Sequence, residues 1–397
     1  MSPTYPLSLD LAGRRVIVVG GGPVAARRTT GLLAAGADVV VVAPALCEDL
    51  ADLAAEDRIR WLPRDYADGD LRDAWLVHTA TGDRLVDQAV ATEAETRRVW
   101  CVRADDAQHS AAWTPAVARA GDVVVSVTAG GDPRRARRLR DAVAAGLDTG
   151  ALPLRHHRPA AAGSVALVGG GPGDPGLITT RGRRLLAEAD VVVVDRLAPR
   201  ALLDELDPDV LVVDAGKTAG NHPMPQEQIN AAIVEHAQAG RRVVRLKGGD
   251  PFVLGRGGEE ALACLAAGVP VEVVPGVTSA VAVPAAAGIP VTHRGRSRQV
   301  TVASGHEGLD WATLSRLDGT LVLLMAVSAL ADATTALVAH GMAPDTPAAV
   351  VESGCTPQQR TTVGTVATIA ALARERGVRP PGILVVGRVV DLAEVLG

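Results

Sequence analysis

The stretch RRVIVVGGGPVAARR, residues 14–28, passes from an unbroken branched apolar run into three glycines and a proline, then into residues that favour helix. Val16 to Val19 reads as a strand buried on both faces, the turn after it needs residues without bulk, and 24–35 reads as the helix leaving it. The same device returns at 164–179, SVALVGGGPGDPGLIT. Two such openings, in a chain of 397 residues, predict two α/β units rather than one large core.

Working outward from the first opening, strands are expected at 37–43, 75–81, 98–104 and 122–129, with a helix at 84–96. This alternation predicts a Rossmann-like, parallel, doubly wound sheet over residues 1–150. At its first strand-to-helix junction, Gly20, Gly22, Pro23, Val24 and Ala25 fit G-x-G-x-x-A, where small residues let a pyrophosphate approach the N–H groups of a helix N-terminus. Pro44 and Ala45, at the end of the second strand, complete the expected NAD contacts. No acid stands there to hold a ribose 2′-hydroxyl, so the motif leaves NAD and NADP both open. A linker is expected at 151–163; His156 and His157 in LPLRHHRPAAAG (152–163) read as solvated linker residues rather than metal ligands.

The second half also alternates. Strands are expected within 189–197, 209–217, 241–250 and 269–276, with a helix at 225–239, and a second series within 298–306, 319–327, 346–354 and 381–390. Two lobes result, about 164–290 and 291–397. Ligands in open α/β sheets bind at the carboxyl ends of strands. The site is therefore expected at 169–175, Asp195, Lys217, Gly248, Gly249, Asp250, 275–279, Met325 and Gly354. Within RLKGGDPFVLGRGGEE (245–260), the glycines permit close backbone approach and Pro251 stiffens the exit. Phe252, the single phenylalanine of the chain, is expected as a core residue whose ring wedges beneath that loop.

Composition narrows the class of function. A net charge of −5, with one Phe, two Tyr and five Trp, offers neither a basic field nor stacking platforms for nucleic acid. Cys47, Cys101, Cys264 and Cys355 are too scattered for a zinc or iron–sulfur site, and no resident metal is expected. The uncharged run at 273–291 is broken by Pro275, Pro284 and Pro290 and reads as buried loop and helix, not a membrane span. With no export signal at the N-terminus, a reduced cytoplasmic protein is expected.

The words GGGPGDPGLIT, VVDRL, GK, RLKGGDPFVLGRGGEE, VPGVTSA, AGIPVTHR and LVVGRVV, in this order over 164–397, resemble the uroporphyrinogen-III C-methyltransferase module of the tetrapyrrole methylase family. With a dinucleotide-binding half in front, the whole chain resembles the siroheme synthase family. That resemblance implies S-adenosylmethionine in a cleft between two lobes, held at Pro172, Gly248, Gly249, Asp250, Val253, Thr278, Ser279, Met325 and Gly354. It implies Asp195 as proton acceptor and Lys217 as proton donor, and Asp105 in CVRADDA as the catalytic aspartate of the first half. The substrate is a tetrapyrrole with many carboxylates, for which Arg196, Arg256, Arg294 and Arg181 are the candidate grips.

The implied chemistry is methylation of uroporphyrinogen III to precorrin-2 and oxidation by NAD to sirohydrochlorin, in a homodimer; the family also inserts ferrous iron as a substrate, a step expected to be weak or absent here because the helices that help enclose the macrocycle are shortened. The chain departs from the family's pattern in three places: Val194 before Asp195, Leu324-Met325-Ala326 in place of Tyr-Met-Gly, and a shortened helical segment after Asp132. Two alternatives stay open: a later corrin intermediate as the methyl acceptor, and a first half that only binds or dimerises.

Overall fold

The computed structural model describes residues 5–106, 109–152, 154–155, 162–216, 224–306 and 308–397. The chain divides into two compact units, Met1–Ala144 and Ala145–Gly397.

In the first unit β1 (Arg15–Val19), β2 (Asp38–Val42), β3 (Arg60–Leu62), β4 (Leu76–Thr79) and β5 (Trp100–Arg103) form a parallel sheet in the order β3-β2-β1-β4-β5. Val16 and Val18 pack with Ala25 and Leu32 of the helix Pro23–Ala34, while Ile17 and Val19 pack on the other face with Val90 and Ala94 of the helix Arg84–Arg97. Both faces of the sheet are covered, which is why its strands carry no polar alternation. Strand order reverses between β1 and β4, so the glycine turn after β1 sits at the switch point.

One expected strand of that sheet lies elsewhere. Residues 122–129 supply β7 (Val123–Val127), which pairs antiparallel with β6 (Ala116–Ala120) in a separate two-stranded sheet. Only Gly121 and Asp122 separate the two strands, with Gly121 at φ +60°. A connection so short closes a hairpin, whereas a parallel neighbour needs a crossover of a dozen or more residues. The helix Pro133–Thr149 comes next.

In the second unit β8 (Ser164–Gly169), β9 (Val191–Val194), β10 (Leu211–Asp214), β11 (Arg242–Lys247) and β12 (Val271–Val274) form a parallel sheet in the order β10-β9-β11-β8-β12. The second lobe contains β13 (Val300–Ser304), β14 (Thr320–Leu324), β15 (Pro347–Glu352), β16 (Arg360–Thr365) and β17 (Gly382–Val386), ordered β13-β14-β17-β15-β16. There only β13 and β14 run parallel. The helix Ser279–Ala286, which leaves β12, places Ala280 and Val283 against Val322, Leu324, Val351 and Ile383 of the second sheet. It thereby locks the two lobes around the loops at their strand ends. Among the described residues no helix is long and apolar enough to cross a membrane.

Candidate active site

The first unit's turn is built by close backbone approach. A Cβ on Gly20, at φ +121°, would lie 2.4 Å from the Ala80 carbonyl oxygen, and one on Gly21 would lie 1.8 Å from the Ala45 carbonyl oxygen. The Cys47 N–H donates to the Gly21 carbonyl at 2.7 Å, which brings Pro44 and Ala45 beside the turn. Gly22 is different: nothing lies within 4 Å of where its Cβ would point. It also caps the helix Pro23–Ala34 with no side-chain hydrogen bond and no acid in the first turn. Pro23 has no N–H to satisfy, and the N–H groups of Val24 and Ala25 at this helix end lack intrahelical acceptors. Open space in front of free amides and a helix dipole fits the pyrophosphate of a dinucleotide. All seven expected NAD residues meet here.

Asp105 lies just beyond β5, at the same carboxyl edge of the sheet. Arg103 grips it with two hydrogen bonds, Nε to Oδ1 at 3.1 Å and Nη2 to Oδ2 at 2.9 Å. The Arg103 side chain is itself buried and also donates to Gln88 Oε1 at 2.6 Å. These guanidinium bonds outweigh the effect of partial burial and hold the Asp105 carboxyl below its ordinary range.

In the second unit three glycine loops cross at van der Waals contact. A Cβ on Gly169 would fall 2.5 Å from Gly276 Cα, and a Cβ on Gly276 would fall 2.2 Å from the Gly249 carbonyl oxygen. Gly249, at φ +66°, exchanges backbone hydrogen bonds with Gly171 at 2.7 and 3.2 Å. Asp250 ties the crossing together: Oδ1 accepts the Phe252 N–H at 2.8 Å and Oδ2 accepts the Gly276 N–H at 3.0 Å.

Phe252 is not the wedge expected for it. The residue is 58% exposed. Its ring lies at the open side of the loop with Cδ1 3.0 Å from where a Gly257 Cβ would stand, and the loop closes on itself through the Gly257 N–H, which donates to the Pro251 carbonyl at 3.0 Å. Backbone contacts and the Asp250 carboxylate hold the loop instead.

The second lobe closes on these loops. Thr278 caps the helix Ser279–Ala286 by accepting the Ala280 N–H, and Val253 joins the apolar cluster of Ala280, Val283 and Leu324. A Cβ on Gly354 would strike Val283 Cγ1 at 2.3 Å, and one on Gly173 would lie 3.1 Å from the Gly354 carbonyl oxygen. Met325 (φ +58°), Ser353 (+49°) and Cys355 (+59°) line this side, and Leu254 (+56°) and Arg256 (+58°) lie on the 248–257 loop. These five non-glycine residues in the left-handed region all lie on loops that follow strands of this unit, where such backbone strain is associated with ligand sites. These contacts place Gly249, Asp250, Val253, Thr278, Ser279 and Gly354; Pro172 and Gly248 adjoin them in the chain, and Met325 directly follows β14. A cradle of backbone groups with no room for added side chains fits S-adenosylmethionine.

Asp195 comes directly after β9, its side chain 37% exposed, with Oδ1 accepting the Arg196 N–H at 3.0 Å. Lys217 lies outside the described residues. The arginines divide: Arg256 is paired with Glu259 (2.7 Å) and Arg181 with Glu272 (2.8 Å), whereas Arg196 and Arg294 are exposed and have no acidic partner among the described residues.

Three residues of this site are absent from the expected set. Arg245 and Lys247 point from β11 into the protein and both close on Glu260, Arg245 Nε at 2.9 Å and Lys247 Nζ at 3.0 Å, all three essentially fully buried. Gln226 Nε2 donates to the same carboxylate at 3.1 Å. Burial, then the Arg245 charge, draws the Lys247 ammonium below the usual lysine value. The signal is present in the sequence: two charges at alternate positions of a strand flanked on both sides in a parallel sheet have to be paired.

Comparisons with known proteins agree with this geometry. Residues 164–370 match the family model of tetrapyrrole (corrin/porphyrin) methylases, and residues 7–116 match a putative NAD(P)-binding family. The siroheme synthase of Gluconacetobacter diazotrophicus is 40% identical, over 97% of this chain and 95% of its own length. The S-adenosyl-L-methionine-dependent uroporphyrinogen III methyltransferase of Methanosarcina barkeri is 52% identical over 59% of this chain and 95% of its own. Among solved structures, the uroporphyrin-III C-methyltransferase of Thermus thermophilus, complexed with S-adenosylhomocysteine, superposes with a TM-score of 0.51 at 40% identity, covering 58% of this chain and all of that one. The molecule is thus an NAD-binding α/β unit fused to a tetrapyrrole methylase. Since the match extends over nearly the full length of both chains, the chain belongs to the siroheme synthase family.

Proposed function

We propose that the second unit methylates uroporphyrinogen III to precorrin-2 and that the first oxidises precorrin-2 to sirohydrochlorin. The observation that carries this reading is the strained, glycine-crossed cleft with Asp195 beside it, in a chain whose relatives share both halves. When bound, S-adenosylmethionine supplies an electrophilic methyl group and NAD a hydride acceptor. The protein's own groups do the rest. The crossing of Gly169, Gly249 and Gly276, braced by Asp250, holds the methyl donor; Thr278, Ser279, Met325, Gly354, Val253, Pro172 and Gly248 complete its walls. Asp195 takes the proton that the methylated ring system must lose, and Lys217, the proton donor of the pair, relays a proton outward, so that one proton leaves for each methyl group added. Arg196 and Arg294, free of acidic partners among the described residues, grip substrate carboxylates; Arg256 joins them by exchanging Glu259 for one.

In the first unit Gly20, Gly22, Pro23, Val24, Ala25, Pro44 and Ala45 hold NAD. Iron insertion is weak or absent. Chelation requires protons to be taken from the inner nitrogens, and Asp105, the carboxylate that the resemblance picks out, is already held by two nitrogens of Arg103. The alignment with the Gluconacetobacter relative also runs over 448 positions, more than the 397 residues of this chain, so the relative carries segments missing here. The working species is a homodimer, as the resemblance implies, and a cytoplasmic one, as the scattered cysteines suggest.

The test is incubation of the full chain with uroporphyrinogen III and S-adenosylmethionine, first without and then with NAD, with absorbance as the readout. A methylated product that changes to the sirohydrochlorin spectrum only with NAD is expected. A chain that leaves uroporphyrinogen III untouched overturns the reading.

A further inference from the structure

Removing an ion from water costs several kcal/mol, and replacing a buried ion cluster by apolar side chains is often neutral or stabilising. The charges of β11 are therefore not explained by the stability of the sheet. Their geometry offers another reason. Arg245, 2% exposed and anchored on Glu260, extends Nη2 to within 3.7 Å of Asp195 Oδ1. That same oxygen accepts the Arg196 N–H at 3.0 Å. A guanidinium at 3.7 Å and a backbone amide at 3.0 Å both draw on Oδ1 and set the rotation of the carboxylate, and the described residues place no donor on Oδ2.

We propose that Arg245, braced by Glu260 and Lys247, is a positioning residue for methyl transfer that orients Asp195 so that Oδ2 is the proton-accepting oxygen. The inference rests on the reading of Asp195 as the proton acceptor. Methyl transfer leaves a cation on the ring and no hydrogen on the methylated carbon; as a C–H bond of the adjoining meso carbon breaks, its electron pair neutralises that cation and the proton passes to Oδ2. Arg245 is too deep to touch substrate, so it acts only through Asp195. Glu260 sets the guanidinium in place, and Lys247 with Gln226 holds Glu260.

A double-mutant cycle on the full chain tests this, with turnover of uroporphyrinogen III and calorimetric binding of S-adenosylhomocysteine as readouts. Arg245→Met should lower kcat by about 30-fold with ligand affinity unchanged, the pattern of an interaction that matters in the transition state. Arg245→Lys should recover most of the loss. In an Asp195→Asn background, measured under single-turnover conditions, Arg245→Met should lower the rate less than about twofold, because groups acting as one unit are not additive. If Arg245→Met does not fold, the same cycle is run with Arg245→Gln, which keeps a donor toward Glu260. Multiplicative losses in the double variant, or a loss confined to ligand affinity, would overturn the inference while the functional reading stands. An inactive wild-type chain would overturn both.

Discussion

Both units use the same four letters, Gly-Gly-Gly-Pro, directly after a buried strand, yet the two turns do different work. At 20–23 the first glycine takes the positive φ, the second presses on the Ala45 carbonyl, and the third is left open at the mouth of a helix that starts at Pro23. At 169–172 the third glycine takes the positive φ, the chain bridges to Gly249, and no α-helix begins until Thr180. One turn leaves a helix end open, as a phosphate would need. The other builds a wall of crossed backbones. The residues after the proline decide between them: Val-Ala-Ala-Arg can continue as helix, whereas Gly-Asp-Pro-Gly cannot.

The largest effect should come from filling the crossing. Gly276→Ala forces a Cβ to 2.2 Å from the Gly249 carbonyl, with backbone rather than a flexible side chain in the way. The expected cost is about 3 kcal/mol, the upper end for overpacking, with methyl transfer lost and NAD binding kept. Separate melting transitions, methyl transfer and NAD titration check it. A fully active Gly276→Ala protein would break the contrast between wall and helix end.

Next in size is Asp250→Ala. Its two oxygens hold the Phe252 and Gly276 amides, so the variant should fold but lose definition in the cradle. A loss of about 2 kcal/mol, roughly 30-fold in S-adenosylhomocysteine affinity, is expected from charge-assisted hydrogen bonds of this kind. Calorimetric titration measures it, and unchanged affinity would mean that the glycines alone shape the loop.

Gly22→Ala tests the other turn. Its φ is −88° and its Cβ direction is empty, so alanine should fit without strain and leave the melting temperature unchanged. A methyl group in the path of the pyrophosphate should nevertheless weaken NAD by about tenfold, near 1.4 kcal/mol. If NAD is bound as before, the open glycine is not where the dinucleotide lies.

How far the sequence reveals these sites depends on what each residue needs. Strands covered on both faces, such as VIVV and VVVV, announce themselves by unbroken apolar runs, and the glycine turns can be read from their letters. Arg360–Thr365 escapes recognition because RTTVGT, on the edge of its sheet, carries one large apolar residue. The Arg103–Asp105 clamp depends on how the chain turns after β5, which neighbouring letters do not state. Arg245 and Lys247 are legible as charges out of place in an apolar strand. Their partner Glu260 is not, since its position depends on where the next helix docks.

The smallest expected effect is that of Phe252→Ala, and it separates two explanations of the same loop. If the ring were a wedge, truncation would remove a buried aromatic and cost about 3 to 5 kcal/mol. The ring is more than half exposed, and its backbone N–H, not its side chain, is what Asp250 holds. Alanine keeps that N–H. Stability should therefore change by less than about 0.5 kcal/mol, as for surface positions generally, and the affinity for S-adenosylhomocysteine should stay within about twofold. The contrast with Asp250→Ala is the measurement: two neighbouring residues, one large and one small, with the effect carried by the smaller. Thermal melting of the two variants side by side decides it, and a Phe252→Ala loss as large as that of Asp250→Ala would restore the ring as a support of the loop.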